Sequence, residues 1–276
     1  MKTLFLVATP IGNLEDISLR ALKVLQSVTL IAAEDTRQTL KLLNHYQIEK
    51  PLISVYEQNE SARIPFILET LKTGDVALVS DGGTPALNDP GFKLVNAVLE
   101  AGFNVTPIPG ACAPIAALIA SGLPTNQFLY LGFLPRQKNA RIKFLQKILD
   151  HPYTLIFLEA PHRLLHTLRD MLEILGDRRI VIAREMTKIH EEFFRSQISR
   201  AIQYYQEQTP RGEITLIVEG LSQPEIFNDE EINAIIIDNI RAGKSAKDII
   251  KIVTKQVGMP KKQIYQRIQQ LLNQMR

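Results

Sequence analysis

Five short apolar runs, each emptying into a polar or glycine-bearing turn, recur across the first 110 residues of this 276-residue chain. Thr3–Ala8 exits into Thr9-Pro10-Ile11-Gly12-Asn13, Val28–Ala33 into Glu34-Asp35-Thr36-Arg37, and Leu52–Val55 into Tyr56-Glu57-Gln58-Asn59. Val76–Val79 exits into Ser80-Asp81-Gly82-Gly83, and Asn104–Ile108 closes the set at Pro109-Gly110. Helical patterns lie between them: Asp16 can cap a helix carrying Ile17, Leu19, Leu22 and Leu25, Leu40–Leu43 start another, and Ile64–Leu71 and Phe92–Ala101 come after. Strands alternating with helices at this spacing leave few folds open, and the expectation is an α/β domain with a largely parallel sheet. In such sheets ligands sit at the carboxyl ends of the strands.

The stretch Gly74–Gly91, GDVALVSDGGTPALNDPG, is the most informative of these exits. A Val-rich buried strand opens onto two adjacent glycines, which permit close backbone approach to a ligand, and Pro85 and Pro90 stiffen the remainder of the loop. The alternative is a connecting loop with no ligand.

Beyond Gly110 a small-residue helix, Ala111–Ser121, leads to a second set of strands. These are Phe128–Phe133, Thr154–Leu158, Arg179–Ala183, Glu191–Ser196 and Ile214–Val218, with hairpin-like spacing near the end that implies mixed strand directions. A basic helix with Lys138, Arg141, Lys143 and Lys147 lies among them; with Arg136 it offers a strip for a nucleic-acid backbone, or a plain solvated face. Ser222-Gln223-Pro224 reads as a linker. The rest is helical with breaks at Gly243 and Gly258-Met259-Pro260, and Ser245–Leu272 has helix–turn–helix proportions. The expected organisation is two α/β domains, 1–110 and 111–222, with a cleft between them, and a helical appendage, 223–276.

Charge is unevenly spread. From Arg241 to Arg276 nine Lys/Arg face one acid, Asp248, a net of +8 against +3 for the whole chain, so the first 240 residues carry 3 − 8 = −5. A basic tail suits a polyanionic partner such as nucleic acid, or is simply a solvated helix face. The single cysteine, Cys112, cannot form an internal disulfide, and no apolar run approaches a signal-peptide core or a membrane span. A cytoplasmic location, with no membrane partner, is the expectation.

Several chemistries are disfavoured. The turn after the first strand has one glycine where a dinucleotide-binding half needs G-x-G-x-x-G, and there is no G-x-x-x-x-G-K-[ST] phosphate loop. Of the five histidines only His162 and His166 share a helix face, with no Glu between them, so no metal is expected. What remains is a set of polar strand exits on two successive α/β domains, whose natural meeting place is a cleft.

The motifs VATPIGNLEDISLRAL, IAAEDTR, LVSDGGTP, PIPGACA, SGLPT, GFLPR, EAPHRL, ARE-x-TK-x-HEE and RGEITLIVEG occur in this order from about Thr3 to Gly220. They resemble the tetrapyrrole-methylase superfamily of S-adenosylmethionine (SAM) enzymes, and within it the branch that 2′-O-methylates a decoding-centre cytidine of small-subunit ribosomal RNA. The resemblance implies two α/β domains with SAM in the cleft, small-subunit (16S) rRNA or the 30S subunit as partner, and a homodimer. It implies cofactor contacts from Pro10, Gly82, Gly83, Thr84, Leu87, Cys112 and Ala113. SDGGTPALNDPG departs from the commoner SDAGTPGISDPG, PGACAP from PGPSA, and EAPHR from ESPHR; these small changes reshape the cofactor pocket slightly.

The chemistry of the residues agrees. Asp81, beside the glycine pair, can bond ribose hydroxyls or complement a sulfonium, or merely cap the turn. A ribose hydroxyl is a weak acid, so its methylation profits from a base and from charge that stabilises the developing alkoxide. Glu34 and Asp35 are the candidate bases, with Arg37, Arg163 and Arg184 as candidates for phosphate placement or charge stabilisation. The alternative for the two acids is an ion pair that orients Arg37 or Arg184. A tetrapyrrole-precursor methylase and a non-catalytic RNA-binding protein remain open as other functions of the same fold.

Overall fold

In the computed structural model, which describes residues 2–208, 210–221, 229–257 and 259–274, β1 (Thr3–Val7), β2 (Leu30–Ala33), β3 (Leu52–Ser54), β4 (Val76–Val79) and β5 (Asn104–Ile108) form one all-parallel sheet. Its order, β3-β2-β4-β1-β5, puts β1 and β4 side by side although some 70 residues separate them, because each crossover carries a helix. Both faces are covered. Alternate strand residues Ile31, Ala33, Ala77 and Val79 pack on α1 (Leu19–Ser27) and α2 (Thr36–His45). Leu30, Ala32, Val76 and Leu78 pack on α3 (Glu60–Thr73) and α4 (Phe92–Glu100). Strands buried on both sides must be apolar throughout, which is why they read as short continuous runs.

The chain crosses to a second sheet between Ile108 and α5 (Ala113–Ser121). That sheet runs β6-β7-β10-β8-β9, from β6 (Phe128–Phe133), β7 (Thr154–Glu159), β8 (Arg179–Arg184), β9 (Glu192–Gln197) and β10 (Ile214–Val218). Only β6 and β7 are parallel; the other pairs are antiparallel, giving the mixed directions that the hairpin-like spacing implied. One face packs on α6 (Lys138–Lys147), α7 (Leu164–Leu175) and α8 (Ile198–Glu207), the other on α5 through Ala117 and Leu118. Both sheets belong to one compact unit, Met1–Gly220. No described helix is long and apolar enough to cross a membrane.

Leu221–Arg276 form a separate unit. There α9 (Asp229–Arg241), α10 (Ala246–Val257) and α11 (Lys261–Gln274) bury Ile232, Ile236, Ile249, Val253, Ile264 and Ile268 against one another. Ser222-Gln223-Pro224 and Gly258 lie outside the described residues. The unit is less lopsided in charge than its last 36 residues suggest, because α9 opens with Asp229, Glu230 and Glu231. Nine Lys/Arg against six Asp/Glu give 221–276 a charge of 9 − 6 = +3, the charge of the whole chain, and leave the first 220 residues with none.

Two local expectations are corrected, and one helix is added to those expected. Ser18, not Asp16, caps α1, its Oγ accepting from Ala21 N–H; Leu14–Asp16 is instead a 3-10 turn capped by Asn13. Helix α8, which joins β9 to β10 in the chain and packs on the sheet face beside α7, was not anticipated. Arg141 is no part of a solvated strip: it is 5% exposed, and its Nη2 lies 2.5 Å from Asp170 Oδ2. Lys138 and Lys143 stay exposed.

The glycine-rich exit of β4 is anchored at its far end by a buried residue of α3. Helix α4 begins at Gly91, which has no side chain to cap it, and Glu60 Oε1 accepts from Gly91 N–H (3.1 Å) and Leu94 N–H (2.9 Å) instead. Glu60→Ala leaves two buried donors unsatisfied, so stability is expected to fall by about 3 kcal/mol and the melting temperature by about 6–12 °C. A melting curve that matches the parent would refute this anchoring role.

Candidate active site

Because β1 and β4 are neighbours, their exit loops meet. Thr9 and Gly83 exchange two backbone hydrogen bonds, each 2.9 Å, and Thr9 Oγ1 donates to Ser80 carbonyl oxygen (3.2 Å). Gly83 makes this turn at φ +92°, a left-handed conformation that glycine adopts without penalty. Thr84 Oγ1 then donates to Ala111 carbonyl oxygen (3.1 Å), fixing the loop to the segment that enters the second sheet. The exits of β2 and β4 are laced likewise: Asp35 N–H donates to Asp81 Oδ1 (2.9 Å) and Asp81 N–H to Glu34 Oε2 (3.3 Å).

These loops form one wall of a cavity of about 910 Å³. Pro10, Gly12, Glu34, Asp81–Thr84 and Leu87–Asp89 line it from the first sheet; Cys112 and Ala113 at the start of α5, then Tyr130, Phe133, Glu159, Met186, Lys188 and Glu213 line it from the second. The two walls interlock. Gly132, at φ +61°, lies so close to the Asn88 side chain that a Cβ there would fall 2.5 Å from Asn88 Nδ2. Asn13 N–H donates to Thr187 Oγ1 (3.0 Å) across the cleft. Ala86, Asn88, Glu185 and Thr187 all have φ between +50° and +65°, so loops on both walls hold conformations that L-residues rarely adopt.

The cavity is acidic. Burial pushes the carboxyls of Glu34, Asp81 and Asp89 above the usual range, with neighbouring carboxylates adding to the effect. Lys41 and Lys188 are the cations of the lining; at Lys188 burial opposes the charge, but contacts with Glu185 Oε1 (2.9 Å) and Glu213 Oε2 (3.2 Å) outweigh it and hold the ammonium above its ordinary value. The Tyr130 hydroxyl is buried with no hydrogen-bond partner among the described residues, and burial pushes its ionisation up to about 12. An orphaned hydroxyl at a polar cavity is a group poised for a ligand.

Among the residues singled out from sequence, Pro10, Glu34, Asp81, Gly82, Gly83, Thr84, Leu87, Cys112 and Ala113 all line this one cavity. Asp35, Arg37, Arg163 and Arg184 do not. Asp35 caps α2 and grips Arg37 (2.6 Å), which holds its carboxyl down at about 2; Arg37 itself projects into solvent. Arg184 pairs with Glu192 (2.9 Å) on β9, and Arg163 turns inward to the Leu134 and Pro135 carbonyls. Asp89, Tyr130, Lys188 and Glu213 were not anticipated. Asp89, Lys188 and Glu213 lie within the stretches quoted above, but Asp89 read as a turn residue and Tyr130 as one apolar strand position among six.

The residues suit SAM. Carboxyl groups complement its sulfonium and ammonium, Gly83 exposes main chain at the cavity wall, and Tyr130 offers an unused hydroxyl. The family model for tetrapyrrole (corrin/porphyrin) methylases matches residues 3–202. The chain is 48% identical to ribosomal RNA small subunit methyltransferase I of Halalkalibacterium halodurans, with 95% of this chain and 93% of that protein covered. It is 51% identical to the same-named protein of Thermotoga maritima (80% and 99% covered) and 45% identical to that of Bacillus subtilis (96% and 93%). Among solved structures, a cobalt precorrin-4 methyltransferase has a TM-score of 0.60 at 14% identity, covering 79% of this chain and 94% of that one. Uroporphyrin-III C-methyl transferase from Thermus thermophilus, complexed with S-adenyl homocysteine, has a TM-score of 0.55 at 16% identity (79% and 97%). At such identities these structures speak for the fold alone, whereas the family model and the relatives settle membership: the chain belongs to the tetrapyrrole (corrin/porphyrin) methylases.

Proposed function

We propose that the protein is a SAM-dependent methyltransferase that transfers a methyl group to a ribose 2′-hydroxyl of a cytidine in small-subunit ribosomal RNA. The observation that carries the reading is the acidic cavity closed jointly by the β1, β2 and β4 exits and the second sheet. Relatives at 45–51% identity bearing the ribosomal RNA methyltransferase name support this substrate over a tetrapyrrole. When bound, SAM supplies an electrophilic methyl group on its sulfonium. Pro10, Gly82, Gly83, Thr84, Leu87, Cys112 and Ala113 would hold it, with Asp81 toward its hydroxyls or its positive end. Glu34, which lines the cavity, would accept the proton of the ribose hydroxyl as it takes the methyl group; Asp35, held at about 2 by Arg37, is too weak a base. The nucleotide must leave its stack to reach this depth. A homodimer belongs to the same proposal, supported by the exposed Ile115 and Ile119 on α5, as does a cytoplasmic location, which suits a ribosomal RNA substrate.

Two outcomes are expected. Gly83→Val cannot hold φ +92° without strain, so calorimetry should find SAM affinity lowered by at least tenfold; parent-like affinity would misplace the cofactor. With Glu34 raised above the ordinary carboxyl value, activity should fall as pH drops through that raised value, because the protonated acid accepts nothing. Glu34→Gln should lower kcat by about 10²–10⁴-fold and flatten the acid limb, while Asp35→Asn keeps the limb where it is. An unchanged limb in Glu34→Gln would assign the base elsewhere.

A further inference from the structure

A second cavity, of about 650 Å³, adjoins the first: Phe133 and Ala160 line both. Its chemistry is the reverse of its neighbour's. Arg136, His162 and Arg163 line it, and no acid among the described residues does. The Phe133 ring is 54% exposed, and the Arg136 and His162 side chains are exposed with no hydrogen bond or ion pair to any described residue.

Phe133 faces this way because of an irregularity in β6. Tyr130 pairs with Ile156, yet Phe133 pairs with Leu158, so β6 carries one extra residue, absorbed at Gly132 in its left-handed conformation. By plain alternation Phe133 would join Leu129 and Leu131 in the core beneath α6–α8; the bulge turns it to the cavity side, where Leu158 also lies. The next three residues are then immobilised from below. Arg163 Nη2 donates to the Leu134 (2.7 Å) and Pro135 (3.3 Å) carbonyls, and Arg141 Nη1 to the Pro135 (3.3 Å) and Arg136 (3.2 Å) carbonyls. Both arginines are charge-compensated, Arg163 by buried Glu159 (3.3 Å) and Arg141 by buried Asp170. Two inward arginines committed to one three-residue loop make a rigid platform whose free parts are an aromatic face and a guanidinium.

We propose that this platform is an RNA subsite: the base of the nucleotide flanking the methylated one stacks on Phe133, and its phosphate is held by Arg136, with His162 at the rim. Resting on the proposed function above, it explains how a target nucleotide is kept apart from its neighbour while the acidic cavity repels the flanking phosphate. Exposed aromatics beside cationic side chains are how single-stranded RNA is commonly held.

The test is methylation kinetics on small subunits from cells lacking the enzyme, at several salt concentrations, with SAM affinity measured by calorimetry. Phe133→Ala should raise KM for subunits roughly 5- to 150-fold, and Phe133→Trp should restore it. Arg136→Gln should lower the slope of log KM against log salt by about 0.7 with SAM affinity unchanged. Parent-like KM and salt slope in Phe133→Ala and Arg136→Gln, with the parent enzyme active on subunits, would overturn the subsite while leaving the function standing. If the parent itself methylates no RNA, both fall. Should Phe133→Ala melt well below the parent, the Trp and Gln variants decide the matter.

Discussion

The paired backbone hydrogen bonds between Thr9 and Gly83 hold together what the sequence separates. Two strands adjacent in a parallel sheet usually send their exits in similar directions; here the exits are tied to each other by a reciprocal bridge. That bridge sets where Gly82 and Gly83 expose main chain, where Thr84 reaches the entry to the second sheet, and where Asp81 meets Asp35. The cavity results from this geometry and from the Asn88–Gly132 and Asn13–Thr187 contacts that close the second wall against it.

Electrostatics divide the surface around that cavity into two neighbouring zones. Carboxyl groups gather where a cationic donor would sit, and partial burial raises their pKa above the usual carboxylate range, which makes them stronger bases than exposed carboxylates. Basic groups gather one step outward, at the loop after β6. The separation is achieved by compensation: Lys188 is neutralised by Glu185 and Glu213 inside the acidic zone, and Glu159 and Asp170 neutralise the arginines beneath the basic one.

Strand exits were legible from sequence because a parallel strand buried on both faces has to be apolar and has to stop abruptly. Hence Val76–Val79 and its glycine-bearing exit could be read directly, whereas the cofactor contacts of that wall came from the family resemblance and Asp89 was missed. What escaped was set by three-dimensional context. Arg141 looks like its neighbours Lys138 and Lys143, and only the position of Asp170, 29 residues away, turns it inward. Tyr130 has no pattern that distinguishes a strand residue facing a cavity from one facing a helix. Asp16 and Ser18 both have cap chemistry, and the 3-10 turn decides between them. The +8 of the last 36 residues is real, yet α9 folds its acids onto the same unit and Asp229 pairs with Arg267 (2.6 Å).

Ala86, Asn88, Glu185 and Thr187 give the cavity walls a thermodynamic character of their own. Each left-handed L-residue stores on the order of 1–3 kcal/mol, so four of them make the walls the least relaxed part of a unit whose strands and helices are otherwise conventional. Selection for heat tolerance would find its simplest gain at Ala86, through glycine, because Asn88, Glu185 and Thr187 also join the walls through their side chains. In this molecule durability and catalytic fitness compete for the same few peptide units.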